Sequence, residues 1–304
     1  MRLTTASVDS ALGRWTHHAC EPPDLPPALA GVVRAFWHFD GHTTLLRERT
    51  FPGGHLEIIV HLGPRYRAVD RGATGDPFPV ACLTGVQTGP LVVEAPAERC
   101  RVLGVRLHPV GAYALLGAPL DATEGRTLDL TDGAGRAAAE LAERCHDAPN
   151  VSVCFGRAGA WILERLVRTA AHGAVPHPAV AWAAAELERV DGVASITALR
   201  AQAGLGRTRF ADAFRQQVGM GPKRYARVLR FRRALALVRS GHGLSAAALA
   251  AGYYDQAHLH ACFREFAGMT PGAYAAATGY PNSPSLAESA GIDAGSGRTS
   301  KTER

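Results

Sequence analysis

Arg207, Thr208, Arg209, Ala211, Asp212 and Arg215 fall on the outward side of one predicted helix, and Gln256, Ala257, His260, Ala261 and Arg264 on that of another. Such side chains can read base-pair edges: Arg grips guanine or phosphate, Gln pairs with adenine, Thr and Ala meet the thymine methyl, and Asp accepts from cytosine. Asp212 could instead cap its helix or pair with Arg209 or Arg215. A second set, His55, Glu57 and His61, alternates along one predicted strand and so shares a face. In a barrel interior it could bind a metal or line a pocket for a small polar effector. Two His and one acid on a strand are more often a hydrogen-bonded face, so no metal or other cofactor is expected. The adjacent Cys145 and His146 point in different directions on a helix and do not make an activated nucleophile.

The two reading helices belong to an internal repeat. Phe214-Arg215, Gly219-Met220, Pro222 and Tyr225 recur 49 positions later as Phe263-Arg264, Gly268-Met269, Pro271 and Tyr274, and Phe210 corresponds to Leu259. Ala203-Gly204 matches Ala251-Gly252 at a spacing of 48, so the second copy has one extra residue in its turn. Each copy reads as helix, Gly-containing turn, helix: Ile196 to Ala203 then Arg207 to Val218, and Leu244 to Ala251 then Asp255 to Phe266. Phe210, Phe214 and Val218 face inward in the first copy, Leu259, Phe263 and Phe266 in the second. Pro222 to Arg239 reads as one long linker helix with Tyr225, Val228, Leu229, Leu235 and Val238 as its apolar stripe.

Charge follows the same division. Residues 1–150 carry 14 Lys/Arg against 17 Asp/Glu, whereas 151–304 carry 19 against 10, which directs a polyanionic partner to the second half. Ten basic groups (Arg200, Arg207, Arg209, Arg215, Lys223, Arg224, Arg227, Arg230, Arg232 and Arg233) lie within 200–233 beside the single acid Asp212. The first half reads as β-rich: Val32 to Phe39, Leu56 to Leu62, Leu91 to Val93 and Val102 to Leu107 are short apolar runs between Gly, Pro and Asp clusters. Pro52-Gly53-Gly54 supplies a turn before one of them. From Ala134 the pattern is helical, until Gly173, Pro176 and Pro178 interrupt it.

The expected fold is therefore α+β in two domains: a β-rich barrel or sandwich with trailing helices, then an all-α domain of two helix-turn-helix units on a linker helix. The expected divisions are 1–150 for effector sensing and dimerisation, 151–175 for a helical linker, 176–280 for DNA binding and 281–304 for a disordered tail. No apolar run approaches the roughly 20 residues that span a bilayer. The start of the chain lacks the pattern of an export signal, and the six cysteines form no C-x-x-C pair, so a cytoplasmic protein without membrane contact is expected.

These residues are similar to the AraC/XylS family of bacterial transcription regulators. The likeness covers Val193 to Tyr274 and rests on the two Ala-Gly turns, Phe214-Arg215 through Gly219-Met220 to Pro222, Arg230-Phe231-Arg232-Arg233-Ala234, and Gly252 to Leu259 closing on Gly268-Met269-Thr270-Pro271. Arg200 on the first supporting helix, and His260 and Ala261 on the second reading helix, depart from the usual residues. Arg49 to Ile59 and Gly104 to Pro109 resemble, more weakly, the β-barrel sensory domains of such regulators. The resemblance implies a non-enzymatic, sequence-specific regulator bound to double-stranded DNA, controlled by a small-molecule effector, with a homodimeric state and RNA polymerase as partner. The alternatives are a cysteine alkyl-acceptor repair protein, which the same module sometimes accompanies, and a nonspecific architectural DNA-binding protein.

Overall fold

Alternating apolar and polar residues, bounded by turn formers, build the first half. The computed structural model describes residues 1–44, 47–70 and 72–277, and the backbone of residues 286–287. Its strands are β1 Thr4–Ser10, β2 Gly13–Cys20, β3 Val33–Thr43, β4 Arg47–Thr50, β5 Leu56–His61, β6 Arg67–Asp70, β7 Ala73–Pro77, β8 Ala81–Thr84, β9 Leu91–Glu94, β10 Cys100–Leu107, β11 Thr127–Asp129 and β12 Leu286–Ala287. They form a seven-stranded sheet, β1-β2-β3-β10-β5-β8-β11, and a five-stranded one, β12-β4-β9-β6-β7. Of the expected tail, β12 pairs with β4; residues 281–285 and 288–304 lie outside the described residues.

The period of two along each strand sorts the large sheet into two faces. Leu56, Ile58 and Val60 of β5 join Leu103, Val105 and Leu107 of β10 in the core, while Glu57, Ile59 and His61 point to the opposite side with Val102 and Arg106. One residue breaks the register: Arg106 pairs with Ala35 but Leu107 pairs with Val33, so Arg34 is bulged out of the ladder.

The helices are α1 Pro109–Leu116, α2 Leu130–Ala134, α3 Arg136–His146, α4 Val151–Ala171, α5 Pro178–Arg189, α6 Ile196–Gln202, α7 Arg207–Val218, α8 Pro222–Arg239, α9 Leu244–Ala250, α10 Gln256–Ala267 and α11 Pro271–Ala276. α4 occupies most of the stretch expected as a helical linker over 151–175, and it is packed against its neighbours. Its Phe155 stacks on Phe36 of β3 at 5.4 Å, Trp161 donates to the Ala137 carbonyl at 2.7 Å, and Thr169 donates to that of Ala114 at 2.6 Å. Its apolar face is buried against β3, α1 and α3. The hairpin β1–β2 went unforeseen because Thr4–Ser10 is polar and mostly exposed, with no apolar period to reveal it.

α8 carries more than the predicted stripe. Ten of its 18 residues are buried, among them Phe231 and Ala234, so the helix is covered on several sides. One side meets the helix-turn-helix units and another meets the first half of the chain.

Candidate nucleic-acid interface and ligand cavity

Each reading helix is shaped by its local sequence. Gly204 and Gly252 take the left-handed turn at φ +65° and +75°, as the predicted turns require. Ser195 caps α6 by accepting from the Ala198 amide at 3.3 Å, and Asp255 caps α10 by accepting from that of His258 at 2.7 Å. Two residues separate Gly204 from α7 and three separate Gly252 from α10, the extra residue anticipated for the second turn. Phe210, Phe214 and Val218 are buried, as are Leu259, Phe263 and Phe266. Their opposite sides lie open: Arg207, Thr208, Arg209, Asp212 and Arg215 on α7, and Gln256, Ala257, Ala261 and Arg264 on α10, are exposed, with Ala211 and His260 half-buried. Asp212 accepts from Arg215 at 3.0 Å, which realises its pairing role.

The basic cluster divides on inspection of its partners. Arg224 pairs with Glu124 at 2.8 Å, Arg227 with Glu265, and Arg232 with Asp191 at 3.0 Å, while Arg230 lies over the Tyr253 ring. These charges hold α8 in place. Among the described residues Arg200, Arg207, Arg209 and Lys223 make no ion pair.

The first half of the chain grips the C-terminal ends of both reading helices. The Leu120 amide donates to the Gln216 carbonyl of α7 at 2.8 Å, and Arg49 donates to the Ala267 carbonyl of α10 at 3.2 Å. Carbonyls at a helix end lack internal partners, so these contacts satisfy groups that would otherwise need water. The turn before β5 reaches both copies of the repeat: Phe51 packs edge-on against Tyr274 at 5.5 Å, and the Gly54 carbonyl accepts from the Tyr225 hydroxyl at 3.1 Å. Tyr225 and Tyr274 are the equivalent tyrosines noted 49 positions apart. Gly54 has φ +70°, and a Cβ there would stand 2.8 Å from the Leu229 methyl. Gly54→Ala is expected to cost about 1 kcal/mol or more in urea unfolding, because alanine is strained at positive φ. Unchanged stability would show that this turn does not seat on α8.

Glu188 of α5 completes the junction. It accepts from Arg34 at 2.8 Å, from His108 at 3.0 Å and from the Tyr225 hydroxyl at 2.7 Å. Burial alone would raise its carboxyl, yet the hydrogen bond from His108, the charge of Arg34 and the hydrogen bond from Tyr225 hold it at about 2.

Behind the turn lies a cavity of about 840 Å³, lined by both sheets, α8 and Tyr274 of α11. His55, Glu57 and His61 all face it, so the structure brings this predicted trio to one wall. Trp15, Trp37, Phe39 and Phe78 line the cavity too. Trp37 can lie flat on the sheet because its ladder partner is Gly104, whose missing side chain leaves room for the indole. The indole N–H donates to Glu57 at 2.6 Å, and Arg106 donates to the same carboxylate oxygen at 3.1 Å. Sequence reasoning did not single out Trp37, Arg106 or the α8 residues Arg232 and Arg239; the alternation of β10 was the available signal for Arg106. Burial pushes His55 down to about 4 and lowers His17 and His61 as well. Among the described residues no three His, Cys, Asp or Glu side chains gather as a metal site. The Cys145 thiol is buried and pushed above its ordinary range by its hydrogen bond with Cys154, the reverse of an activated nucleophile.

No helix among the described residues is long and apolar enough to cross a membrane. Residues 199–277 match the family profile of a helix-turn-helix domain, and residues 22–129 match a domain of unknown function, DUF6597. No curated protein matches the chain. Two solved structures of ToxT from Vibrio cholerae are similar. The P21 crystal form has 9% identity and a TM-score of 0.43 over 79% of this chain and 97% of that one. ToxT bound to (E)-4-(8-methylnaphthalen-1-yl)but-3-enoic acid has 9% identity and a TM-score of 0.44 over 76% and 96%. With two helix-turn-helix units in tandem on a shared linker helix, their glycine turns in the predicted places, and the matching domain profile over them, residues 199–277 form a helix-turn-helix domain of the DNA-binding kind, similar to that of AraC/XylS-type transcription regulators.

Proposed function

We propose that the protein reads two adjacent major-groove segments of one asymmetric site, with α7 in one and α10 in the next, and that a small molecule in the cavity adjusts that reading. The observation that carries this is the pair of repeat-related helices whose buried aromatic sides leave two different polar sides exposed. Different side chains on the two helices call for different half-sites. In this reading residues 176–280 bind DNA, the β-rich half senses the effector and forms the homodimer, and RNA polymerase is met once the site is occupied.

Selection from a random duplex pool with the full-length protein, followed by footprinting, tests the reading. An asymmetric motif with contacts about 34 Å apart, one duplex turn, is the expected result. A flat profile whose affinity depends only on salt would replace it with the architectural alternative. On the selected site, Arg207→Ala or Gln256→Ala is expected to cost about 1–3 kcal/mol at one base position. A loss spread evenly over all sequences would reassign the residue to a phosphate.

A further inference from the structure

The charged side chains on the cavity walls are Arg34, Arg106, Arg232, Arg239, Glu48 and Glu57, and carboxylates on or behind the wall already partner three of the arginines. Arg34 is paired with Glu188, Arg106 with Glu57, and Arg232 with Asp191. Arg239 and Glu48 line the cavity as well, with one charge of each sign. The three cavity histidines are held neutral near pH 7 because burial, reinforced for His17 and His55 by Arg106, disfavours their charged forms. What remains is chiefly ring surface. Trp37 stacks with His17 at 6.1 Å and 16°, and Phe78 with His61 at 6.3 Å and 14°, so flat faces already lie side by side along the walls. The volume of about 840 Å³ is in the range that encloses a multi-ring molecule. An ionic ligand would bury a charge with no free counter-charge among the described lining residues to meet it, which costs far more than burying a neutral polar atom that finds one hydrogen bond.

We propose that the cavity takes an uncharged, ring-bearing organic molecule, held between the pocket face of the seven-stranded sheet and the Leu235–Arg239 end of α8. This deepens the reading of the cavity as the effector site and rests on it. The ligand's rings lie against Trp37 and Phe78, its polar atoms meet the neutral imidazoles, and its outer edge touches the helix that joins the two DNA-reading units. Occupancy thereby reaches the linker helix directly.

Two fluorescent probes with the same ring system test the class. Phenylnaphthylamine is uncharged, and anilinonaphthalene sulfonate adds one negative charge. Titrated into the full-length protein, the uncharged probe is expected to bind at one site per chain, about tenfold or more tighter than the sulfonate. Trp37→Ala should weaken the uncharged probe by about threefold to tenfold through lost stacking. Glu57→Gln keeps an acceptor for Trp37 but leaves Arg106 without its carboxylate, so sulfonate affinity should rise about tenfold and the preference narrow or reverse. A gain of binding cannot come from a variant that fails to fold. Tighter binding of the sulfonate by the unaltered protein, or equal response of both probes to Glu57→Gln, overturns the proposal. Failure of the effector reading shows elsewhere: the uncharged probe would occupy the site and leave affinity for the selected DNA unchanged.

Discussion

Alanine in place of Glu188 is expected to remove about 3 kcal/mol of folding stability, within the range for breaking a buried ion pair by deleting one partner. The carboxylate is only 12% exposed and Arg34 only 23%, so the guanidinium left behind has little water to turn to. Tyr225 loses its shortest partner and keeps the Gly54 carbonyl at 3.1 Å. The three donors come from both halves of the chain, so the loss falls on the seam between them. Urea unfolding should show it directly, and limited proteolysis near Gly173 should accelerate. The same carboxylate sets an acid limit. Its value in the folded protein is about 2 against an ordinary 4.5, so its contribution is complete above about pH 4.5 and disappears as the pH falls toward 2. That difference again corresponds to about 3 kcal/mol. Between those limits the alanine variant should lose less stability than the parent. Parallel pH profiles for the two proteins would refute the assignment.

Phe231→Ala is expected to cost about 3–5 kcal/mol, the range for emptying a large aromatic from a packed core. Phe231 is fully buried, edge-on to Phe263 at 5.3 Å and tilted against Phe266 at 5.4 Å, so the space it leaves opens beneath α10. The damage should be uneven. A footprint on the selected site should lose protection over the segment read by α10 before the segment read by α7, because Phe210 and Phe214 pack against each other and Tyr225 instead. Uniform loss over both segments would mean that the two units do not have separate cores.

Phe231 also shows where legibility ends. Its neighbours Val228, Leu229 and Leu235 were readable as one apolar stripe, because a helix buried on one side repeats every three to four residues. A helix buried on several sides has no such period, and the arginines around Phe231 mask it further, so its role emerged only with the fold. The reading helices were legible for the opposite reason: glycine turns and buried aromatics are local and were stated twice. α7 and α8 begin and end where predicted, and α10 differs by a residue at each end. In the β-rich half, β3, β5, β9 and β10 were legible from their apolar residues, whereas the polar β1 and the short β6 and β7 were not. His55, Glu57 and His61 were placed on one face by alternation alone. That the face borders a cavity closed by α8 depends on contacts more than 170 positions apart in the chain, such as that of Gly54 with Tyr225, which no local pattern encodes.

The grip on the reading helices is made to main-chain oxygens: those of Gln216 and Ala267 accept, while the side chains that face outward take no part. A main-chain oxygen is the same whatever residue carries it. If α7 and α10 read DNA as proposed, mutation can rewrite their outer sides, and with them the preferred sequence, without altering how the β-rich half holds them. The outward vocabulary and the inward grip sit in separate atoms, so descendants can change one while inheriting the other intact.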